Sequence, residues 1–343
     1  MQKKIIFYFK GDEGIKFGFG HAYRVLNIYK KLKFDSKDIK FFFIINKNTF
    51  LLNFLKFKRI NNIYFIEEIY DHKLFDIFQN SKIIIDIYRK TDRHINFIKS
   101  KFKSAKTIAL DNFEIKKNFD AYINGVSFAQ KKIYNRKNNI YQGFKYICIP
   151  NKNLKEKIDF NFKEPKIFVS TGGSDKKNII PKITKYLLKF KNVKINVLIG
   201  PGFEKHNKIF TLNRKFKQIK LIKDVKNLSK YISKNDCAIT TGGFVMYECI
   251  ALNLPTFVIK NYEHQKYSIK YLDKKKSIIY IGESSKLNLD KFNKKINLIN
   301  DYFFIKKIKQ RMLPLIDGNG LDRIVSIIKK SHIKSLIIEK SED

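Results

Sequence analysis

The stretch CAITTGGFVMYECIALNLPTFVI, residues 237–259, settles the architecture. Cys237 to Thr241 is a short apolar and β-branched run without polar alternation, as expected of a strand covered on both faces. Gly242-Gly243 breaks it. Phe244 to Ala251 then reads as a buried helix, and Pro255 opens a second strand run ending at Ile259. A strand, a glycine turn, a helix and a further strand in immediate succession make a parallel βαβ unit.

The same rhythm extends in both directions. Upstream, the runs 166–173 (KIFVSTGG), 195–201 (INVLIGP) and 219–223 (IKLIK) read as strands, and downstream so does 278–282 (IIYIG). An earlier series occupies 4–9, 39–46, 63–67, 82–88, 106–111 and 121–125. Amphipathic segments lie between them. In 21–34, Ala22, Val25, Leu26, Tyr29 and Leu32 share one helical face. The rhythm breaks at 151–165, a polar, charged stretch ending in Pro165, which reads as a linker. The expected organisation is an amino-terminal Rossmann-like domain, 1–150, and a carboxy-terminal one, 166–343. Two doubly wound α/β domains of this kind are expected to face each other across a cleft, with ligands outside the carboxyl ends of the strands.

Composition bounds the function classes. The 343 residues suit about two domains, and 44% apolar residues supply their cores. Lys and Arg number 71 against 31 Asp and Glu, a formal charge of +40. Such an excess suits anionic partners, but it is scattered along the chain and gathered in no arm or patch. Lys, Ile, Asn and Phe, all with A/T-rich codons, are abundant, and codon bias alone produces that pattern. Nucleic acid is therefore not expected as a partner, and a diphosphate is. A peripheral membrane contact stays open. Cys148, Cys237 and Cys249 are odd in number and widely spaced, which fits neither a disulfide framework nor a zinc site. The apolar run Ile5–Phe9 is too short for a signal sequence, and no run reaches the ~20 residues of a membrane span. The expected location is the cytoplasm, with no metal or other cofactor.

Four motifs could carry chemistry. Gly18-Phe19-Gly20-His21 follows the first strand and opens a helix. It is not a dinucleotide fingerprint, because Tyr23 takes the third glycine position and the second strand ends in Asn46-Lys47-Asn48 without an acid. His21 is then either a helix cap on a tight turn or a proton acceptor beside a ligand. Ser170-Thr171-Gly172-Gly173-Ser174-Asp175 and Thr240-Thr241-Gly242-Gly243-Phe244 echo each other as strand-to-helix turns. Two helix starts of this kind could share one diphosphate, although such turns are common in α/β folds. Glu248 sits in an apolar helix, where an unpaired carboxylate is costly. A ribose diol or a lysine would partner it. Asp86 and Asp111 each end a strand run, where they would face a ligand or cap the following turn. His72, His94, His206 and His332 lie in Lys-rich surroundings and are expected in solvent.

The residues also resemble a known family. Asp12 to Arg24, with the pattern D-x-x-x-x-x-G-F-G-H-x-x-R, is similar to the start of the UDP-sugar hydrolase of pseudaminic acid biosynthesis. That family cleaves UDP-2,4-diacetamido-2,4,6-trideoxy-β-L-altrose. IIIDIY (83–88), FVSTGGSD (168–175) and the 238–259 segment resemble its further motifs. IDGNGLDRIV (316–325) resembles an element of its longer members and of spore coat polysaccharide proteins. The resemblance implies the two-domain GT-B arrangement shared with the peptidoglycan glycosyltransferase that makes the lipid-linked disaccharide. It implies UDP held by Gly172, Gly173, Asp175, Gly242, Gly243 and Glu248. It implies His21 as the base for water attack at the anomeric carbon, with Asp12, Gly18, Gly20, Arg24, Asp86, Tyr88, His264 and Gln265 around the sugar. His264 stands where the family carries Asn. A glycosyltransferase with a UDP-sugar donor shares every one of these motifs, and a non-catalytic sugar-nucleotide binder is the reading from another class.

Overall fold

The computed structural model describes residues 3–10, 20–87, 93–111, 119–126, 139–149, 160–190, 192–203, 208–223, 225 and 227–330. Asp12, Gly18, Tyr88, His206, His332 and most of the expected linker, 151–159, lie outside them. The chain forms two compact units, residues 1–150 with 319–343, and residues 151–318.

In the first unit the strands are β1 (Lys3–Phe9), β2 (Ile39–Ile45), β3 (Ile63–Phe65), β4 (Lys82–Asp86), β5 (Lys106–Leu110), β6 (Ala121–Asn124) and β7 (Ile140–Gln142). They pair in parallel in the order β3-β2-β1-β4-β5-β6-β7. The reversal of strand order between β1 and β4 is the switch point of a doubly wound sheet. Helices α1 (Gly20–Asp35), α2 (Thr49–Phe57), α3 (Phe75–Phe78) and α4 (Arg93–Lys101) belong to the connections. The abundance of Phe is visible in the core. Phe7 stacks on Phe43 with ring centres 5.3 Å apart, and Tyr29 of α1 meets Phe43 edge-on at 5.2 Å. Each such pair contributes roughly 0.5–1.5 kcal/mol beyond its burial. β7 was not expected from sequence; three residues are too few to show a period.

The second unit repeats the plan. Its strands are β8 (Lys166–Ser170), β9 (Lys194–Leu198), β10 (Ile219–Ile222), β11 (Cys237–Thr241), β12 (Thr256–Lys260) and β13 (Ile279–Glu283). Their order is β10-β9-β8-β11-β12-β13, again parallel, with the switch point between β8 and β11. Helices α5 (Ile179–Leu187), α6 (Lys208–Lys215), α7 (Leu228–Ile232), α8 (Phe244–Ala251), α9 (Lys266–Lys274), α10 (Leu289–Ile296) and α11 (Tyr302–Met312) accompany it.

One boundary differs from expectation. Helix α12 (Gly320–Lys329) does not belong with 166–318 but with the first unit. Its apolar face, Leu321, Ile324, Val325, Ile327 and Ile328, is buried. Lys31 of α1 reaches Asp322 at 3.4 Å, and Lys329 reaches Asp35 at 3.0 Å. Gly320 explains the close approach: a Cβ there would lie 2.1 Å from the Ile147 carbonyl oxygen. Sequence distance from residue 150 hid this return. Among the described residues no helix is long and apolar enough to cross a membrane.

Candidate functional site

The first unit gathers charge at its switch point. β4 ends at Asp86, which is the register partner of Phe9 at the end of β1. α1 leaves the β1 side, so His21 and Arg24, one turn apart, come down on Asp86. His21 Nδ1 stands 2.5 Å from Asp86 Oδ1. Arg24 grips the same carboxylate with two donors, Nε to Oδ2 at 2.7 Å and Nη2 to Oδ1 at 2.6 Å. Its third donor, Nη1, bonds Asp111 Oδ2, just beyond the end of β5. Asp86 is fully buried, whereas the His21 side chain keeps 23% of its surface exposed.

The electrostatics fix the roles. Burial works to raise the Asp86 carboxyl, but the Arg24 charge and the hydrogen bonds from His21 and Arg24 outweigh it and hold Asp86 well below the usual carboxylate range. An ionised Asp86 can only accept, so the Nδ1 facing it carries the proton. That leaves the His21 Nε2 lone pair as the acceptor of a proton from elsewhere. Burial of Arg24 lowers its proton affinity, and the carboxylates of Asp86 and Asp111 more than reverse that. Arg24 and Asp86, both expected around the sugar, are bonded to each other, and Asp86 also meets His21. Gly20 is the first residue of α1.

Sequence reading also misplaced His94. It is buried, with Nδ1 3.0 Å from the Tyr70 hydroxyl, because the apolar residues around it on α4 carry it inward. His72 is exposed, as expected. All three cysteines are buried, and none forms a disulfide. Asn124, closing β6 beside Gln142 of β7, is fully buried with neither side-chain polar atom partnered among the described residues, a feature no sequence motif signals.

In the second unit both glycine turns meet at the switch point. Thr241 Oγ1 donates to the Thr171 carbonyl at 3.4 Å, linking them directly. They are not equivalent. Gly172 adopts φ +90°, a conformation that favours glycine, and its amide bonds Ser170 Oγ at 3.0 Å. The Gly173 carbonyl accepts from Gly202 N at 2.8 Å. Asp175 then turns back into the protein: its carboxylate accepts from Ile179 N at 2.9 Å and Ile180 N at 3.0 Å, capping α5. Both oxygens of the carboxylate, which was expected near a diphosphate, are engaged at the helix start. The second turn opens α8 at once, with Gly243 as N-cap and no side-chain cap. Its first-turn amides thus carry no side-chain cap, the kind of helix start that favours an anion. Gly242 has a packing reason as well, since a Cβ there would sit 2.7 Å from Ile269 Cδ1 and 3.0 Å from Gln265 Cβ.

Glu248 lies one turn into α8, 8% exposed. No hydrogen bond or ion pair to its carboxylate is present among the described residues, and burial raises its carboxyl to about 8. Gln265 is buried, its Oε1 accepting from Asn261 N at 2.8 Å and Tyr262 N at 3.2 Å, so the amide oxygen shapes its own loop. His264 stacks parallel on Tyr262, ring centres 5.7 Å apart. Beside this loop, at the ends of β12 and β13, a cavity of about 250 Å³ is walled by Lys177, Lys260, Asn261, Tyr262, Glu283 and Ser284. Lys177 Nζ bonds the Asn261 carbonyl at 2.6 Å and lies over the Tyr262 ring. Among the described residues no group of three His, Cys, Asp or Glu side chains is placed to hold a metal ion.

Comparison with known proteins extends over the whole chain. No family model matches it. An uncharacterized protein of Methanocaldococcus jannaschii is 27% identical over 279 residues, 74% of this chain, and the match spans only 55% of that protein's length. The spore coat polysaccharide biosynthesis protein SpsG of Bacillus subtilis is 22% identical, covering 93% of this chain and 96% of SpsG. Among solved structures, the glycotransferase of kitacinnamycin superposes with a TM-score of 0.65 at 10% identity, covering 96% of this chain and 99% of its own. S. aureus MnaA in complex with UDP gives 0.61 at 13%, covering 95% and 96%. At these identities the likeness is one of fold: the chain is a GT-B type protein of two parallel-sheet α/β domains, similar from end to end to SpsG.

Proposed function

We propose that this protein is a nucleotide-sugar hydrolase that releases UDP from UDP-2,4-diacetamido-2,4,6-trideoxy-β-L-altrose or a related UDP-sugar. The carrying observation is the His21–Asp86 pair, with Nδ1 and Oδ1 2.5 Å apart and Arg24 locking the carboxylate. That arrangement makes Nε2 a base, and a base is what a water needs to attack the anomeric carbon. In the second unit the uncapped start of α8 suits the diphosphate, and the unpartnered Glu248 suits the ribose hydroxyls. The cavity walled by Lys177, Asn261 and Tyr262 suits the polar substituents of the sugar. Amide donors and surplus lysines would stabilise the departing diphosphate. The likeness to SpsG, a spore coat polysaccharide biosynthesis protein, supports a sugar-nucleotide substrate and favours neither hydrolysis nor transfer.

A glycosyltransferase is the second reading, favoured by the fold shared with the kitacinnamycin glycotransferase. His21 would then deprotonate an acceptor hydroxyl rather than water. The deciding experiment incubates the pure protein with the UDP-sugar and follows UDP release without any acceptor. Steady release, falling ~100-fold or more in His21→Ala, is expected of the hydrolase. UDP binding should survive that substitution. Tight UDP binding without release would select the transferase, and release untouched by His21→Ala would sink both.

A further inference from the structure

We propose that Asp111 is a positioning residue that supplies the net negative charge beneath His21. A charge count carries it. Asp86 and Arg24, joined by two hydrogen bonds, cancel. Such a neutral pair orients the His21 ring but offers less to an imidazolium than a carboxylate without Arg24 would. Among the described residues, Asp111 on the far side of Arg24 brings the buried cluster to −1, and a proton on His21 brings it to zero. In a poorly solvated site that difference is large enough to matter.

The local structure is built for this. Asp86 and Asp111 close neighbouring strands, β4 and β5, so two carboxylates stand side by side where only a shared cation makes them tolerable. Asp111 adopts φ +44°, a left-handed conformation that Asp enters more readily than most residues. It is held there by its own amide on the Ile123 carbonyl at 2.9 Å and by Val126 N on its Oδ1 at 3.1 Å. Among the described residues, the titratable groups facing the cluster are Asp86 from β4, Arg24 and His21 from α1, and Cys148, whose thiol donates to the Arg24 carbonyl. Burial first, and the like charge of Asp86 after it, raise the Asp111 carboxyl against the pull of Arg24, while Asp86 is lowered. As pH falls, Asp111 therefore gives up its charge before Asp86 does.

The inference rests on His21 as proton acceptor, but its first test needs no turnover. The full chain is labelled with ¹⁵N, and the His21 ring is identified by its loss in His21→Gln. Its nitrogen shifts are then followed against pH. Asp111→Asn should move the His21 titration midpoint down by about one pH unit, and Arg24→Gln should move it up. Both variants are checked for native thermal unfolding. A midpoint unmoved in folded Asp111→Asn overturns the proposal, as do shifts of the same sign in both variants. Should Asp111→Asn fail to fold, Arg24→Gln alone decides, since an unmoved or lowered midpoint there contradicts the charge count. Opposite shifts in a protein that releases no UDP would leave this inference standing and remove the hydrolase.

Discussion

His21 and Glu248 show how one side chain's worth depends on what holds it. Among the described residues, His21 has its Nδ1 anchored on Asp86, and Glu248 has nothing on its carboxylate. A carboxyl raised by burial from 4.5 to about 8 favours the folded state while it is neutral. That advantage is complete below its unfolded value and is lost as pH rises through about 8. The difference corresponds to roughly 5 kcal/mol at most. Glu248→Gln should therefore leave urea stability at pH 5 nearly unchanged and raise it at pH 9. Equal stability of wild type and Glu248→Gln at pH 9 would mean the carboxylate has found a partner. A ribose diol would be such a partner, so UDP should protect wild type more at pH 9 than at pH 5.

Helices here are positioned by small residues as much as by apolar faces. Gly320 lets the start of α12 lie against the Ile147 carbonyl, and Gly242 lets α9 close on the turn before α8. Gly320→Ala forces backbone apart, because the obstructing atoms are main chain. A loss of about 1–3 kcal/mol is expected, read as a lower midpoint in urea unfolding. A wild-type midpoint would show that α12 can slide without cost. The glycine pairs were conspicuous in the sequence, and their strand-to-helix context was legible there. Their inequivalence was not. It depends on Asp175 turning back to cap α5, which two amides four and five residues later bring about.

Each unit has the same strand order up to its sixth strand, and each has its candidate chemistry at the point where that order reverses. α12 binds to the first unit through α1. A chain ending at Gly318 should accordingly lose amide-exchange protection in α1 while β11 and α8 keep theirs. Loss in β11 and α8 instead would assign α12 to the wrong unit.

The linear order of residues was enough for strands, helices and turns, since each rests on contacts within a few residues: apolar runs for β1 or β11, a 3.6-residue face for α1, glycine at the turns. It was also enough to single out His21 and Glu248, because one follows a glycine turn and the other interrupts an apolar helix. The partners of Arg24 lie 62 and 87 residues away, and they meet it only because β4 pairs with β1 and β5 pairs with β4. The burial of His94, the return of α12 and the charge on the His21 cluster have the same origin. They depend on which strand ends become neighbours, and no local pattern encodes that.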